Sequence, residues 1–122
     1  MLDVTDLVGQ PFEKYPCWEL VKEVFRRRGE TLPDYLTMDY SNPADIKGVK
    51  YYEKLSRPEE GAICAFDLGG HGIDHVGVYL GNNMLLHSTT VSGVCIERFS
   101  RYVSRLKGIY RYGTYHHNHE PI

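Results

Sequence analysis

From Ala62 to Tyr112 the chain breaks into five short apolar runs, AICAF, HVGVYL, MLLHST, GVCIER and GIYRY. Each is five or six residues long, the set is rich in Val, Ile, Tyr and Phe, and each is too short for a stable helix, so each reads as a strand. Such strands in quick succession predict an antiparallel meander with one face to bury. Only one strong helical pattern precedes them. Cys17, Leu20, Val21, Val24 and Phe25 recur at i, i+3, i+4, i+7 and i+8, while Glu19, Lys22, Glu23, Arg26 and Arg27 fill the opposite side. Pro16 suits the start of that helix and Gly29 its end. Helix first and strands after predict an α+β fold, one antiparallel sheet packed on the leading helix.

The remaining segments are weaker signals. Glu30 to Asn42 holds Pro, Asp and Ser without a steady period and reads as a loop. SNPADIKGVKYYEKL opens on capping residues and predicts a short second helix, weakened by Gly48; RPEEG is a turn and SRYVSRL a single helical turn. A chain of 122 residues suits one domain, taken here as residues 1–113, with 114–122 as a flexible C-terminal tail. That tail carries His116, His117 and His119 without a fixed geometry, so no metal site is assigned to it.

Composition removes several function classes. The net charge is −2 and no polybasic run occurs, which argues against a nucleic-acid partner. No apolar run approaches membrane-spanning length, so no membrane insertion is expected. MLDVTDLVGQPFEKYP has acids and a proline where a signal peptide needs an apolar core. Three cysteines, Cys17, Cys64 and Cys95, are an odd number without close spacing, which fits neither a disulfide framework nor a zinc knuckle. Ten tyrosines and one tryptophan suit a groove that grips a polar, sugar- or peptide-like ligand.

Cys17 stands directly behind Pro16 at the first turn of the helix. There its sulfur meets unpaired N–H groups and the positive end of the helix dipole, which favour a thiolate. A nucleophile also needs a base, and IDHVGVYLGNNMLLHS offers His75 at the head of one strand and His87 on the next. The competing reading of Cys17 is a small buried hydrophobe, and that reading holds for Cys64 and Cys95 inside their strands. If the strands joined by Gly81, Asn82 and Asn83 are to show both histidines on one face, toward the helix, the connection must be odd in length or carry a bulge. Positive φ is then expected near Asn83.

PCWELV, then DHVGVYLG, then LLHS resembles the NlpC family of cell-wall cysteine peptidases, and RPEEGAICAF resembles the turn and strand that precede the histidine block in that family. The likeness runs from Gly9 to about Tyr112, and HVGVYLG is its most specific part. The resemblance implies a minimal papain-like fold and a catalytic set of Cys17, His75 and His87 as nucleophile, base and orienting residue. It implies a peptidoglycan stem peptide as substrate, cut between γ-D-glutamate and the diamino acid, with no metal or organic cofactor. Tyr15, Trp18 and Asp74 are the expected substrate-binding residues. Some members of the family are phage tail components, so a tail-associated wall hydrolase with phage tail proteins as partners is the implied setting.

Three positions depart from the family pattern. Pro16 stands where Asp is usual before the cysteine, Glu19 where Gly follows it, and Phe12 where an upstream tyrosine would serve the oxyanion hole, a role Tyr15 is left to fill. These departures keep two alternatives open. One is a structural or binding tail component that turns over weakly. The other is a thiol acyltransferase of the same superfamily, although its relatives tend to place the histidine before the cysteine.

Overall fold

A computed structural model of the chain describes residues 3–32 and 50–114. The expected loop from Pro33 onward, the first part of the expected second helix and the tail beyond Thr114 lie outside the described residues.

Helix α1 spans Cys17–Arg27, as its apolar stripe requires, and Leu20, Val21, Val24 and Phe25 are fully buried. Its end is a Schellman turn: Gly29 N–H donates to Arg26 O and Glu30 N–H to Phe25 O. Gly29 takes φ 83°, a value that favours glycine. On the outer face Glu23 accepts from Arg26 and Arg27, and Arg27 reaches Asp6 with two bonds of 2.7 Å, tying the N-terminal segment to the helix.

Six strands follow: β1 Lys50–Leu55, β2 Ile63–Phe66, β3 His75–Gly81, β4 Met84–Thr89, β5 Gly93–Arg98 and β6 Leu106–Thr114. A 3-10 helix, Phe99–Arg105, connects β5 to β6 where one helical turn was expected. All pairings are antiparallel and the order is β1-β6-β2-β3-β4-β5. Two expectations are corrected here. The strands are not a simple meander, because β6 returns to lie between β1 and β2. Residues 50–55, read as part of a short helix, form β1. Cross-strand packing explains the change: Tyr52 pairs with Tyr112, their ring centroids 5.0 Å apart, and Tyr112 meets Phe25 of α1 edge-on. Burial of that aromatic row outweighs a local helical preference.

The alternation of the strands makes two apolar faces. Ile63, Ala65, Val76, Val78, Leu86, Val94 and Tyr110 pack beneath the stripe of α1. Cys64, Phe66, Leu85 and Ile109 point the other way, where Phe99 and Tyr102 of the 3-10 helix pack against them.

Candidate active site

The β3–β4 hairpin decides where the two histidines point. Asn82 (φ 51°) and Asn83 (φ 63°) form a two-residue turn of left-handed residues, the conformation Asn accepts more readily than most residues. Val78 opposes Leu86 and Tyr79 opposes Leu85, but the register then shifts so that Gly81 opposes Met84. Leu80 is thus an inserted residue. The expected bulge and positive φ are both present, and the shift brings Gly77 beside His87 on one face of the hairpin.

His75 and His87 share that face, and His75 Nε2 lies 2.8 Å from His87 Nδ1. His87 is fully buried and His75 nearly so. Gly77 makes the approach possible: a Cβ there would stand 2.8 Å from Leu86 O and 3.1 Å from His87 Cβ. The histidines do not look toward the stripe of α1, as the sequence suggested. They lie on the opposite face, beside Phe66 and Tyr102, because Val76, Val78 and Leu86 occupy the positions facing the helix.

Cys17 is the first residue of α1, half-buried at the edge of the first core. Its N–H, with those of Trp18 and Glu19, precedes the first intrahelical bond, which runs from Leu20 N–H to Pro16 O. The far end of the helix is fixed by Arg28, whose guanidinium donates to Gly61 O, while Gly61 N–H donates to Tyr79 O. The helix therefore ends over the later half of β3. The segment that leads into α1 is held at the start of β5, where Gly9 N–H donates to Val94 O and Val94 N–H to Gln10 O, and Val94 lies opposite Ser88 of β4. Among the described residues, no hydrogen bond joins Cys17 Sγ to either histidine.

One strand further out stands a residue that the sequence reading missed. Glu97 Oε1 lies 2.7 Å from His87 Nε2 and accepts the Tyr102 hydroxyl at 2.7 Å, while Arg101 donates to Oε2 at 2.8 Å. The signal was present in the alternation of GVCIER. His87 opposes Cys95 in the β4–β5 ladder, so Glu97, two residues on, shares their face. The 3-10 helix that brings Arg101 and Tyr102 is pinned to the hairpin turn: Phe99 N–H donates to Asn83 O, and Ser100 N–H to Asn83 Oδ1.

Electrostatics follow from this burial. Desolvation, reinforced by His87, lowers the His75 pKa to about 4. Desolvation lowers that of His87 also, opposed by its bond to Glu97. The Tyr102 hydroxyl, then His87 and Arg101, hold the Glu97 carboxyl below the usual range. Burial pushes Cys64 up to about 12 and raises Cys95.

The other expected residues have contacts of their own. Tyr15 lines a groove along the flank of α1 with Lys14, Glu19, Lys22 and Arg26, and Trp18 is half-buried against the first core. The Asp74 carboxylate accepts the N–H groups of Leu68 and Gly69, so it shapes the loop that leads into His75. His87 Nε2, Cys95 Sγ and Glu97 Oε1 lie within 4.8 Å of one another, a spacing that suits a metal ion. The first and third are already bonded to each other, however, and the Arg101 guanidinium on Glu97 opposes a cation. No helix among the described residues is long and apolar enough to cross a membrane. The NlpC/P60 family model matches residues 7–112. No curated protein matches the chain.

Proposed function

The chain belongs to the NlpC/P60 family, a superfamily of cell-wall peptidases and amidases with a small papain-like α+β domain, and we propose that it hydrolyses an amide bond of peptidoglycan stem peptides through Cys17, His75 and His87. The observation that carries this reading is the 2.8 Å bond between His75 and His87. It engages His75 Nε2 and leaves Nδ1 as the nitrogen that can receive a thiol proton. In this reading Cys17, on the helix side of the sheet, reaches that nitrogen around the end of the sheet where β3 begins.

The reaction then runs as an acyl transfer. The Cys17 thiol gives its proton to His75 Nδ1, and the thiolate attacks the carbonyl carbon. The Cys17 backbone N–H, unpaired at the helix start, donates to the oxyanion. His75 returns the proton to the leaving amine as the C–N bond breaks, giving a thioester on Cys17. A water that loses its proton to His75 attacks the thioester, releasing the acid and restoring the thiol. His87 holds the ring of His75 throughout. Tyr15, Trp18 and Asp74 would contact the bound peptide, Asp74 through the loop it shapes.

The bond between γ-D-glutamate and the diamino acid is the proposed target, on the family resemblance of PCWELV, DHVGVYLG and LLHS. Incubation with purified muropeptides and mass spectrometry of the products tests it. Fragments split at that bond, absent with Cys17→Ala, are the expected result. Muropeptides left intact by the parent protein would favour the structural or binding role that Phe12, Pro16 and Glu19 suggest. Transfer of an acyl group to an added amine without hydrolysis would favour the acyltransferase. The phage-tail setting belongs to the same proposal, and its support is the resemblance; co-sedimentation with tail particles tests it.

A further inference from the structure

We infer that Glu97 is a positioning residue that fixes the tautomers of both buried histidines and so leaves His75 Nδ1 bare to act as the base. The inference rests on the reading of His75 as the base, and it extends the site by a fourth side chain held in place by Arg101 and Tyr102.

The proton count leads to it. Glu97 receives donors on both carboxylate oxygens, Tyr102 O–H on Oε1 and Arg101 on Oε2. A carboxylate held in this way only accepts hydrogen bonds. The 2.7 Å bond between Glu97 Oε1 and His87 Nε2 therefore uses a proton on Nε2. A neutral imidazole carries one N–H, so His87 Nδ1 has none and must accept. The 2.8 Å bond at that atom then draws its proton from His75 Nε2. His75, neutral as well, is left with a lone pair on Nδ1. The chain of donors runs one way, from His75 through His87 to Glu97.

When His75 takes a second proton, the new positive charge is bonded through His87 toward the Glu97 carboxylate. The titratable and charged groups around this chain are Asp74 before β3, Cys95 on β5, with Sγ 3.9 Å from Glu97 Oε1, and Arg101 and Tyr102 from the 3-10 helix. Cys95 and Tyr102 face Glu97 as neutral groups, so the carboxylate and Arg101 are the charges nearest His87.

Nitrogen-15 NMR of the histidine rings tests the assignment without any substrate. Protein labelled in its histidines is measured at neutral pH as the parent, Glu97→Gln and Glu97→Ala, with His75→Gln and His87→Gln used to assign the rings. Both rings of the parent are expected as single tautomers protonated on Nε2. Glu97→Gln should keep them, since the amide oxygen still accepts from His87 and the exposed Arg101 side chain can swing aside. Glu97→Ala should give averaged tautomers on both rings. A parent His75 protonated on Nδ1 overturns the inference, as do unchanged tautomers in Glu97→Ala; should that variant fail to fold, the parent spectrum alone still decides. A protein with the expected spectra that leaves muropeptides intact would keep the Glu97 assignment and defeat only the hydrolase reading.

Discussion

His75 and His87 meet at 2.8 Å across a hairpin although twelve positions separate them in the chain. A regular two-residue turn at Asn82 and Asn83 would have put them on opposite faces of the sheet. The inserted Leu80 changes the parity of the register, and with it the side of the sheet that His87 occupies.

Burying this pair ties stability to pH. His75 falls from 6.5 to about 4 on folding, so between those values the unfolded chain binds the extra proton and the folded one does not. Stability is therefore full above pH 6.5 and is lost as pH falls through 4. The loss is of order 3 kcal/mol for a shift of this size. Urea unfolding at pH 7 and at pH 4 should show it, and His75→Gln should flatten a good part of the dependence. An identical pH slope in the variant would mean that His75 is not the group responsible.

Gly77→Ala tests the packing that lets the histidines touch. The added Cβ would collide with Leu86 O and crowd His87, and backbone cannot yield as a flexible side chain does. A loss of about 1–3 kcal/mol in unfolding free energy is expected, the usual cost of overpacking a core. An alanine variant as stable as the parent would show that the strands have room to spare.

Much of this arrangement was legible in the chain. The stripe from Cys17 to Phe25 and the Gly29 end gave α1 almost to the residue, and the parity of His75 and His87 called for an odd-length connection or a bulge, which the structure supplies at Leu80. What the residues could not supply was long-range pairing. β6 enters between β1 and β2 through contacts forty or more residues apart, such as Tyr110 with Ile63, and no local pattern encodes them. KYYEKL fits a helix as readily as a strand until Tyr112 lies beside Tyr52. The facing direction of the histidines failed for a related reason: alternation says which residues share a face, but not which face the helix will cover. Glu97 escaped notice because its role depends on Tyr102, brought over by a 3-10 helix that docks on Asn83.

Thiol chemistry should separate the three cysteines. Cys64 is fully buried with its pKa near 12, and Cys95 is raised by burial and by Glu97. Cys17 is half-buried at the first turn of α1, outside the strands. Brief iodoacetamide treatment and peptide mapping should label Cys17 first. Faster labelling of Cys64 or Cys95 in the folded protein would remove Cys17 as the nucleophile.

Kinetics of the two histidine variants give the sharpest test of their separate roles. His75→Ala removes the group that takes the thiol proton and returns it to the leaving amine, a contribution of roughly 10²–10⁴ in rate. Turnover of muropeptides should fall below detection. His87→Ala leaves that base in place but strips Nε2 of its partner 2.8 Å away. The ring of His75 can then rotate and exchange tautomers, so part of the population presents the wrong nitrogen. A loss of roughly ten- to a hundredfold is expected, the usual cost of removing an orienting partner. The two variants should therefore differ, with His87→Ala the more active. Circular dichroism should first establish that each is folded, because His87 is buried and its removal leaves a cavity. Full activity of a folded His75→Ala would exclude His75 as the base, and equal, complete inactivity of both would mean that the pair works as one unit rather than as base and support.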